Sequence, residues 1–401
     1  MNSYIIILLL WIFKKFPIKY TMESSNIFQN NDKCYWIDYS NILGRGAFGT
    51  VYKGKCNKDD KEKIVALKEI PKEIINNKVK LQLLSNEIVI SAELYDDNDD
   101  NDNNERNIVL FLDIIHLNNN DYLVYEFCNG GDLKRYLRYF KKFDENIIQI
   151  ILTQVLKGLN ILHNKKIVHH DIKPENILVE LRLPKDDNLD LEETIKEIME
   201  MTNPKNFIKR ENKITNEKLL NILSNSIFKL SDFGLSKEIE NYNRKEVSGS
   251  PLYLDPVLFN KGVDTETIHN EKVDIWAIGV LAYELFFYDT PFQPFPPNIN
   301  KLKLLLEKGE YVINIKRYEK ISKQFLSFLN SCLQRPQDIR PLTDELLFSE
   351  FITMNPENFS YLTYDNYNTE KFPSKSYLEK DGIITMNIDD NRMINATFDF
   401  Q

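Results

Sequence analysis

The chain of 401 residues is 42% hydrophobic and 12% aromatic, enough to bury a sizeable core and to exclude disorder throughout. A net charge of −9 lacks the basic excess of a nucleic-acid binder, so no nucleic-acid partner is expected. Cys34, Cys56, Cys128 and Cys332 are far apart and form no C-x-x-C pair. They read as reduced thiols, not as disulfides or a zinc site.

The first element is the apolar run "YIIILLLWIF", Tyr4 to Phe13, followed by Lys14 and Lys15. It is about half the roughly 20 residues of a spanning helix. Neither a positive segment before it nor a small-residue cleavage site after it marks a signal peptide. Three readings fit: a short membrane-touching anchor, an element packed on the domain, or an extension translated ahead of Met22. Residues 1–36 are therefore read as an N-terminal extension, with a cytoplasmic location as the default.

Residues 37–70 read as strands around a glycine-rich turn. "LGRGAFGTV", Leu43 to Val51, has the pattern G-x-G-x-x-G-x-V. Gly44, Gly46 and Gly49 let a hairpin backbone approach phosphates closely, with amide N–H groups as donors. The β-rich residues after them favour a hairpin over the strand-turn-helix of a dinucleotide site. The strand "IVALKEI" carries Lys68 after an apolar run, where an unpaired ammonium is costly, so a partner is expected. Glu87, in the helix predicted for Val79–Leu94, is the natural one. The polar run Asp96–Asn107, "DDNDDNDNNERN", reads as a mobile loop, and "DYLVYEFC" as a strand.

From Asp132 the pattern turns helical, with "NIIQIILTQVLKGLNILHN" a long apolar-faced helix. "HHDIKPEN" reads as a catalytic loop: Asp171 accepts or orients a hydroxyl proton, Lys173 holds phosphoryl charge, and Asn176 offers an amide oxygen to magnesium. Residues 181–226, rich in Lys, Glu, Asp and Asn, read as an insertion between the short strands "ILV" and "FKL". "DFG" then gives Asp232 as a second oxygen ligand for magnesium. Helical sequence runs from "KVDIWAIGVLAYELFF" to about Phe351, and residues 353–401 form a polar tail with no domain assigned.

These five elements, in this order, resemble the eukaryotic-type serine/threonine protein kinase superfamily over residues 37–352. The resemblance implies an α+β, two-lobed fold: a small β-rich lobe with one main helix over a larger helical lobe, with Mg·ATP between them and a protein as substrate. It implies a hinge at "YEFCNGGDL". There Tyr125 guards the back of the pocket, Glu126 and Cys128 offer backbone groups to adenine, and Asp132 reaches the ribose. Leu43 belongs to the glycine-rich lid, while Val51, Ala66 and Leu178 sandwich the base. Lys173-Pro174-Glu175 resembles the serine/threonine-specific loop. Ser250 in "GSPLY" sits where such kinases keep a hydroxyl near the catalytic aspartate, and Asp274 where the large-lobe helix supports the loop. "FCNGGDL" and "GSPLY" lean towards the autophagy-initiating kinase group.

Two departures stand out. His170 replaces the arginine that pairs with an activation-loop phosphate; an imidazole of reference pKa about 6.5 is mostly neutral at pH 7 and cannot fork bidentately. Activity independent of a loop phosphate, for example at Ser248, is therefore expected. "LDPV", Asp255 to Val257, stands where the family has A-P-E, so Arg340 loses its usual glutamate and Asp255 is its expected replacement partner. The alternatives weighed against an active kinase are a pseudokinase scaffold and a small-molecule kinase of the same fold.

Overall fold

The computed structural model describes residues 20–24, 27–30, 33–46, 49–58, 61–71, 77–94, 106–116, 120–184, 189–203, 214–239, 249–256, 270–291, 312–314, 321–334, 336–362, 385–388 and 394–395. The apolar run at 4–13, Ser248 and Val257 lie outside them, as does the polar run up to residue 105.

The small lobe is built on β1 (Tyr20–Ser24), β2 (Ile27–Asn30), β3 (Lys33–Gly46), β4 (Gly49–Lys58), β5 (Lys61–Pro71), β6 (Phe111–His116) and β7 (Asn120–Glu126). They form one antiparallel sheet in the order β1-β2-β3-β4-β5-β7-β6. Side chains alternate between its faces. Tyr35, Ile37, Val65, Leu67, Ile115, Tyr122 and Val124 fill one face. Ile70, Phe111, Ile114 and Leu123 fill the other, against Leu84 of α1 (Lys78–Leu94). The glycine-rich turn is a hairpin, with Gly46 opposite Gly49 and Gly44 opposite Val51. The sheet begins before residue 37, where sequence reading placed its first strand. Polar residues dilute any alternation in β1 and β2, so only the pairing of β1 with β2 and of β2 with β3 reveals them.

The large lobe gathers around α2 (Leu133–Phe140), α3 (Glu145–Asn164) and α6 (Lys272–Phe287). Between α3 and α6 come β8 (Ile167–Val168), β9 (Ile177–Glu180), α4 (Leu191–Met201), α5 (Asn216–Asn225), β10 (Ile227–Leu230) and β11 (Lys237–Glu238). Nearly every residue of α6 is buried, which makes it a core helix without a polar face. The two lobes meet in a patch of Ile90 and Leu94 from α1, Ile108, Leu162, Ile167 and Phe233.

Among its described residues, the segment read as an insertion contains α4 and α5, between the antiparallel strands β9 and β10. Ile198, Met201, Ile214, Leu219, Ile222 and Leu223 join the large-lobe core, so it is packed against the lobe. Two boundaries move. Asn107, read as loop, is buried and donates from Nδ2 to Gln154 at 3.0 Å and to the Phe228 carbonyl at 2.9 Å. Ordered packing also continues past 352: Phe359 stacks on Phe351 at 5.5 Å, and Tyr361–Leu362 pairs with Ile321–Ser322. Both segments are polar in sequence and are held by long-range contacts. No helix among the described residues is long and apolar enough to cross a membrane.

Candidate active site

Lys68 lies on the α1-facing side of β5, two residues beyond Ala66 and opposite Val51 of β4. Its Nζ donates to Glu87 Oε1 at 2.6 Å and Oε2 at 2.8 Å, and lies 3.9 Å from Asp232 Oδ1. Burial alone would lower the lysine pKa, but the charges of Glu87 and then Asp232 raise it above its ordinary value. Lys68 is thus a fixed cation. Tyr125, on the neighbouring strand β7, donates its hydroxyl to Glu87 Oε1 at 2.7 Å, so the expected partner of Lys68 is held from two sides.

The catalytic-loop residues converge on one carboxylate. Asp171 Oδ1 accepts from the Ser250 backbone at 3.0 Å and from Ser250 Oγ at 2.7 Å. Oδ2 accepts from Lys173 Nζ at 2.6 Å and Asn176 Nδ2 at 2.8 Å. Lys173 Nζ also reaches Ser250 Oγ at 2.8 Å. Burial would raise the Asp171 pKa, yet Lys173, by hydrogen bond and charge, and then Ser250 hold it below the usual aspartate value.

Support comes from beneath. Asp274, fully buried on α6, accepts the backbone N–H of His169 at 2.8 Å and of His170 at 2.9 Å, and meets His163 Nε2 at 2.9 Å. That grip fixes His170 at φ 65, a left-handed conformation rarely taken by a non-glycine residue. Gly249, at φ +129, packs where a Cβ would sit 2.6 Å from the His170 carbonyl, so only glycine lets Ser250 come this close to Asp171.

Asn176 gives both amide hydrogens to Asp171, one to its carbonyl at 2.8 Å and one to Oδ2. No described hydrogen bond engages its Oδ1. Ser231 donates its N–H to the Asn176 carbonyl at 2.9 Å, which brings Asp232 beside it. Asp232 is left-handed (φ 64), with its side chain 44% exposed. Phe233 is buried beneath α1, edge-on to His169 at 5.6 Å. Two hard oxygen donors suit magnesium, which takes few protein ligands and completes its shell with phosphate and water. No cluster of three His, Cys, Asp or Glu side chains that could hold a metal ion occurs among the described residues.

Around this centre, Gly44 leaves open space where a Cβ would sit, whereas a Cβ on Gly49 would strike the Glu69 carbonyl at 1.8 Å. Leu43 is 41% exposed on the same hairpin. Glu126 ends β7; its Oε1 accepts the Leu110 N–H at 2.8 Å and its Oε2 meets Lys229 at 2.6 Å. No described hydrogen bond engages the backbone N–H or C=O of Cys128. Asp132 bridges to Leu178 of β9, but its Oδ1 caps α2 through the Arg135 N–H at 2.9 Å, so one carboxylate oxygen is already committed. Sequence reasoning missed a charged cluster next to the site. Lys134 Nζ donates to Glu284 Oε1 at 2.5 Å and lies 3.7 Å from Glu175, and the Tyr253 hydroxyl meets Glu284 Oε2. The only signal available was a glutamate inside the apolar helix α6.

The expected pair also forms: both Arg340 terminal nitrogens meet the two oxygens of Asp255, Nη2 to Oδ1 at 3.0 Å.

A small antiparallel sheet with one helix, hinged to a helical lobe with this polar centre between them, defines a two-lobed α+β phosphotransferase architecture. The protein kinase domain family matches residues 37–352, and the chain belongs to that family. It is 30% identical over 318 residues, 79% of this chain and 25% of the relative, to serine/threonine-protein kinase ULK1 of Homo sapiens. Over 251 residues it is 29% identical to serine/threonine-protein kinase ULK3 of Mus musculus, covering 62% of this chain and 41% of that one. Serine/threonine-protein kinase pakG of Dictyostelium discoideum is 27% identical over 331 residues, 82% of this chain and 22% of the relative. The lean towards the ULK group agrees with the first two of these relatives, and the chain spans about a fifth to two fifths of the lengths of the three.

Proposed function

We propose that the chain transfers the γ-phosphoryl group of Mg·ATP to a serine or threonine hydroxyl of a protein substrate. The observation that carries this reading is the convergence of Lys68, Glu87 and Asp232 on one side of a cleft with Asp171, Lys173, Asn176 and Ser250 on the other. A decayed scaffold has no use for this whole set.

In this reading Lys68, held by Glu87, grips the nucleotide phosphates, and the backbone groups of Glu126 and Cys128 hold adenine. Leu43, Val51, Ala66 and Leu178 enclose the base, Asp132 turns its uncommitted oxygen to the ribose, and Gly44, Gly46 and Gly49 bring the hairpin backbone over the phosphates. Asn176 Oδ1 and Asp232 would hold magnesium, which when bound would supply positive charge against that of the phosphates. The substrate hydroxyl docks against Asp171. Its oxygen bonds to the γ-phosphorus as the bond to the β–γ bridging oxygen breaks; ADP leaves with that electron pair, and the hydroxyl proton passes to Asp171. A carboxylate with a lowered pKa is a weak base, so Asp171 mainly orients the hydroxyl and takes its proton late. Lys173 neutralises charge on the moving phosphoryl group.

Turnover does not require a phosphate on the activation loop, because His170 offers no guanidinium fork to receive one. Purified protein should label a generic Ser/Thr substrate from Mg·ATP, and Asp171→Asn should not; equal labelling by both would refute the assignment. Phosphatase treatment should leave turnover intact. Loss of activity restored by a phosphate at Ser248 would refute the independence.

A further inference from the structure

The pair α4 and α5 takes no part in phosphoryl transfer, yet it is wedged against the hinge. Leu181, where the segment begins, donates its N–H to Asn129 Oδ1 at 2.6 Å, and Asn129 Nδ2 returns a bond to the Leu181 carbonyl at 3.4 Å. A Cβ on Gly130 would meet the Val179 carbonyl at 2.8 Å and Leu181 Cγ at 2.9 Å, so hinge and insertion touch without space between them. Further along, the Met199 carbonyl of α4 accepts from Arg135 Nη1 at 3.2 Å, and its methyl lies 3.5 Å from the Cβ position of Gly131. Tyr139 donates to Asn216 at the start of α5 at 2.8 Å. At the far side Lys229, 3% exposed, joins Glu126 at 2.6 Å to Glu180 at 2.8 Å, so the strands flanking the insertion are tied to the hinge as well.

We infer that Leu181 with α4 and α5 forms a brace that positions hinge residues 126–132 for the nucleotide, with Asn129 as its principal fastening. This rests on the reading of the hinge as the adenine site. Gly130 and Gly131 give this stretch more backbone freedom to lose than any other pair of residues would. Gly130 N–H already donates to the Val179 carbonyl, and Val179 N–H to the Gly131 carbonyl, each at 2.8 Å. The brace adds to that hold at Asn129, and in the fraction of molecules where the hinge still shifts, apparent affinity falls by that fraction. The brace touches none of the atoms that transfer the phosphoryl group. Its loss therefore weakens nucleotide binding and leaves the chemical step alone.

The test uses the full chain as wild type, Asn129→Ala and Asn129→Asp, with Mg·ATP affinity measured by calorimetry and kcat at saturating nucleotide. Asn129→Ala should weaken Mg·ATP roughly three- to tenfold, the net worth of one hydrogen bond, with kcat within about twofold. Asn129→Asp keeps the oxygen that accepts the Leu181 N–H and should recover most of the affinity. Met199→Ala, which removes only the side chain over Gly131, should shift affinity in the same direction and serves if Asn129→Ala loses its fold. Unchanged affinity in Asn129→Ala, or a parallel fall in kcat, would overturn the brace alone. A wild-type chain that binds no Mg·ATP would overturn the functional reading and the brace with it.

Discussion

Asp255→Ala tests the most unusual contact in the large lobe. Asp255 and Arg340 both have side chains 0% exposed, and the guanidinium forks onto both carboxylate oxygens. Arg340 has further partners: the Lys272 carbonyl at 2.9 Å, the Gln334 carbonyl at 2.5 Å, and the Trp276 ring 5.0 Å away. Gln337 donates to Asp255 at 2.9 Å. Truncating Asp255 removes the carboxylate that forks onto a buried guanidinium, a change of about 3–5 kcal/mol for a broken buried pair. Against a typical domain stability of about 5–15 kcal/mol that is a large share. With a urea slope near ~3 kcal/mol/M, the unfolding midpoint should fall by roughly 1–1.7 M. Arg340→Met should fall comparably. The double variant Asp255→Leu/Arg340→Met should be more stable than either single one, because it leaves neither charge stranded. A loss below about 1 kcal/mol in Asp255→Ala, or a double variant as weak as the summed singles, would refute the claim that Asp255 carries Arg340.

Gly249→Ala forces a Cβ against the His170 carbonyl at φ +129 and should push Ser250 off Asp171; kcat should fall by about 10²-fold at unchanged nucleotide affinity, and near-normal kcat would refute it. Burial pushes the Cys128 and Cys332 thiols up to about 12, so iodoacetamide at pH 8 should spare both in the folded chain and modify them in urea, read by intact mass. Burial would raise the Asp274 carboxyl, but the hydrogen bond and charge of His163, then the charges of His170 and His169, hold it below the ordinary aspartate value. Its stabilisation is therefore complete above the unfolded pKa of about 3.9 and lost as pH falls through the lower folded value. Asp274→Asn should be less stable at pH 7 and should lose less on acidification; urea midpoints across that range decide, and parallel curves for the two proteins would refute it.

What sequence could say about this site depended on how locally each residue is fixed. Asp171, Lys173 and Asn176 lie in one short loop, where the spacing already implies that three polar groups meet. Lys68 was legible because an ammonium inside "IVALKEI" demands a buried partner; periodicity predicted the helix that carries Glu87, and the kinase strand-lysine and helix-glutamate pattern singled that residue out. Asp255 was expected as the partner of Arg340 only through the family resemblance, which places an arginine there with its usual glutamate missing; a buried charge that must be answered then made the nearby aspartate the candidate. Where no such demand exists, the reading fails. Lys134 is an ordinary helix lysine until α6 brings Glu284 to it, and β1 has no pattern until β2 lies beside it. The polar run's last residue, Asn107, resembles its neighbours, yet it is buried because Gln154 and the Phe228 carbonyl take its amide.

The insertion shows both limits together. Its helical periods were visible in the sequence, because Ile198, Met201, Ile222 and Leu223 must be covered by something. Which surface covers them was not visible, since α2 and the hinge offer apolar and polar groups of ordinary kind. Only the meeting of Leu181 with Asn129 and of Met199 with Arg135 turns two amphipathic helices into a hold on the nucleotide edge of the cleft. Here the route from sequence to function runs through packing alone, and the variants that probe it must separate affinity from turnover.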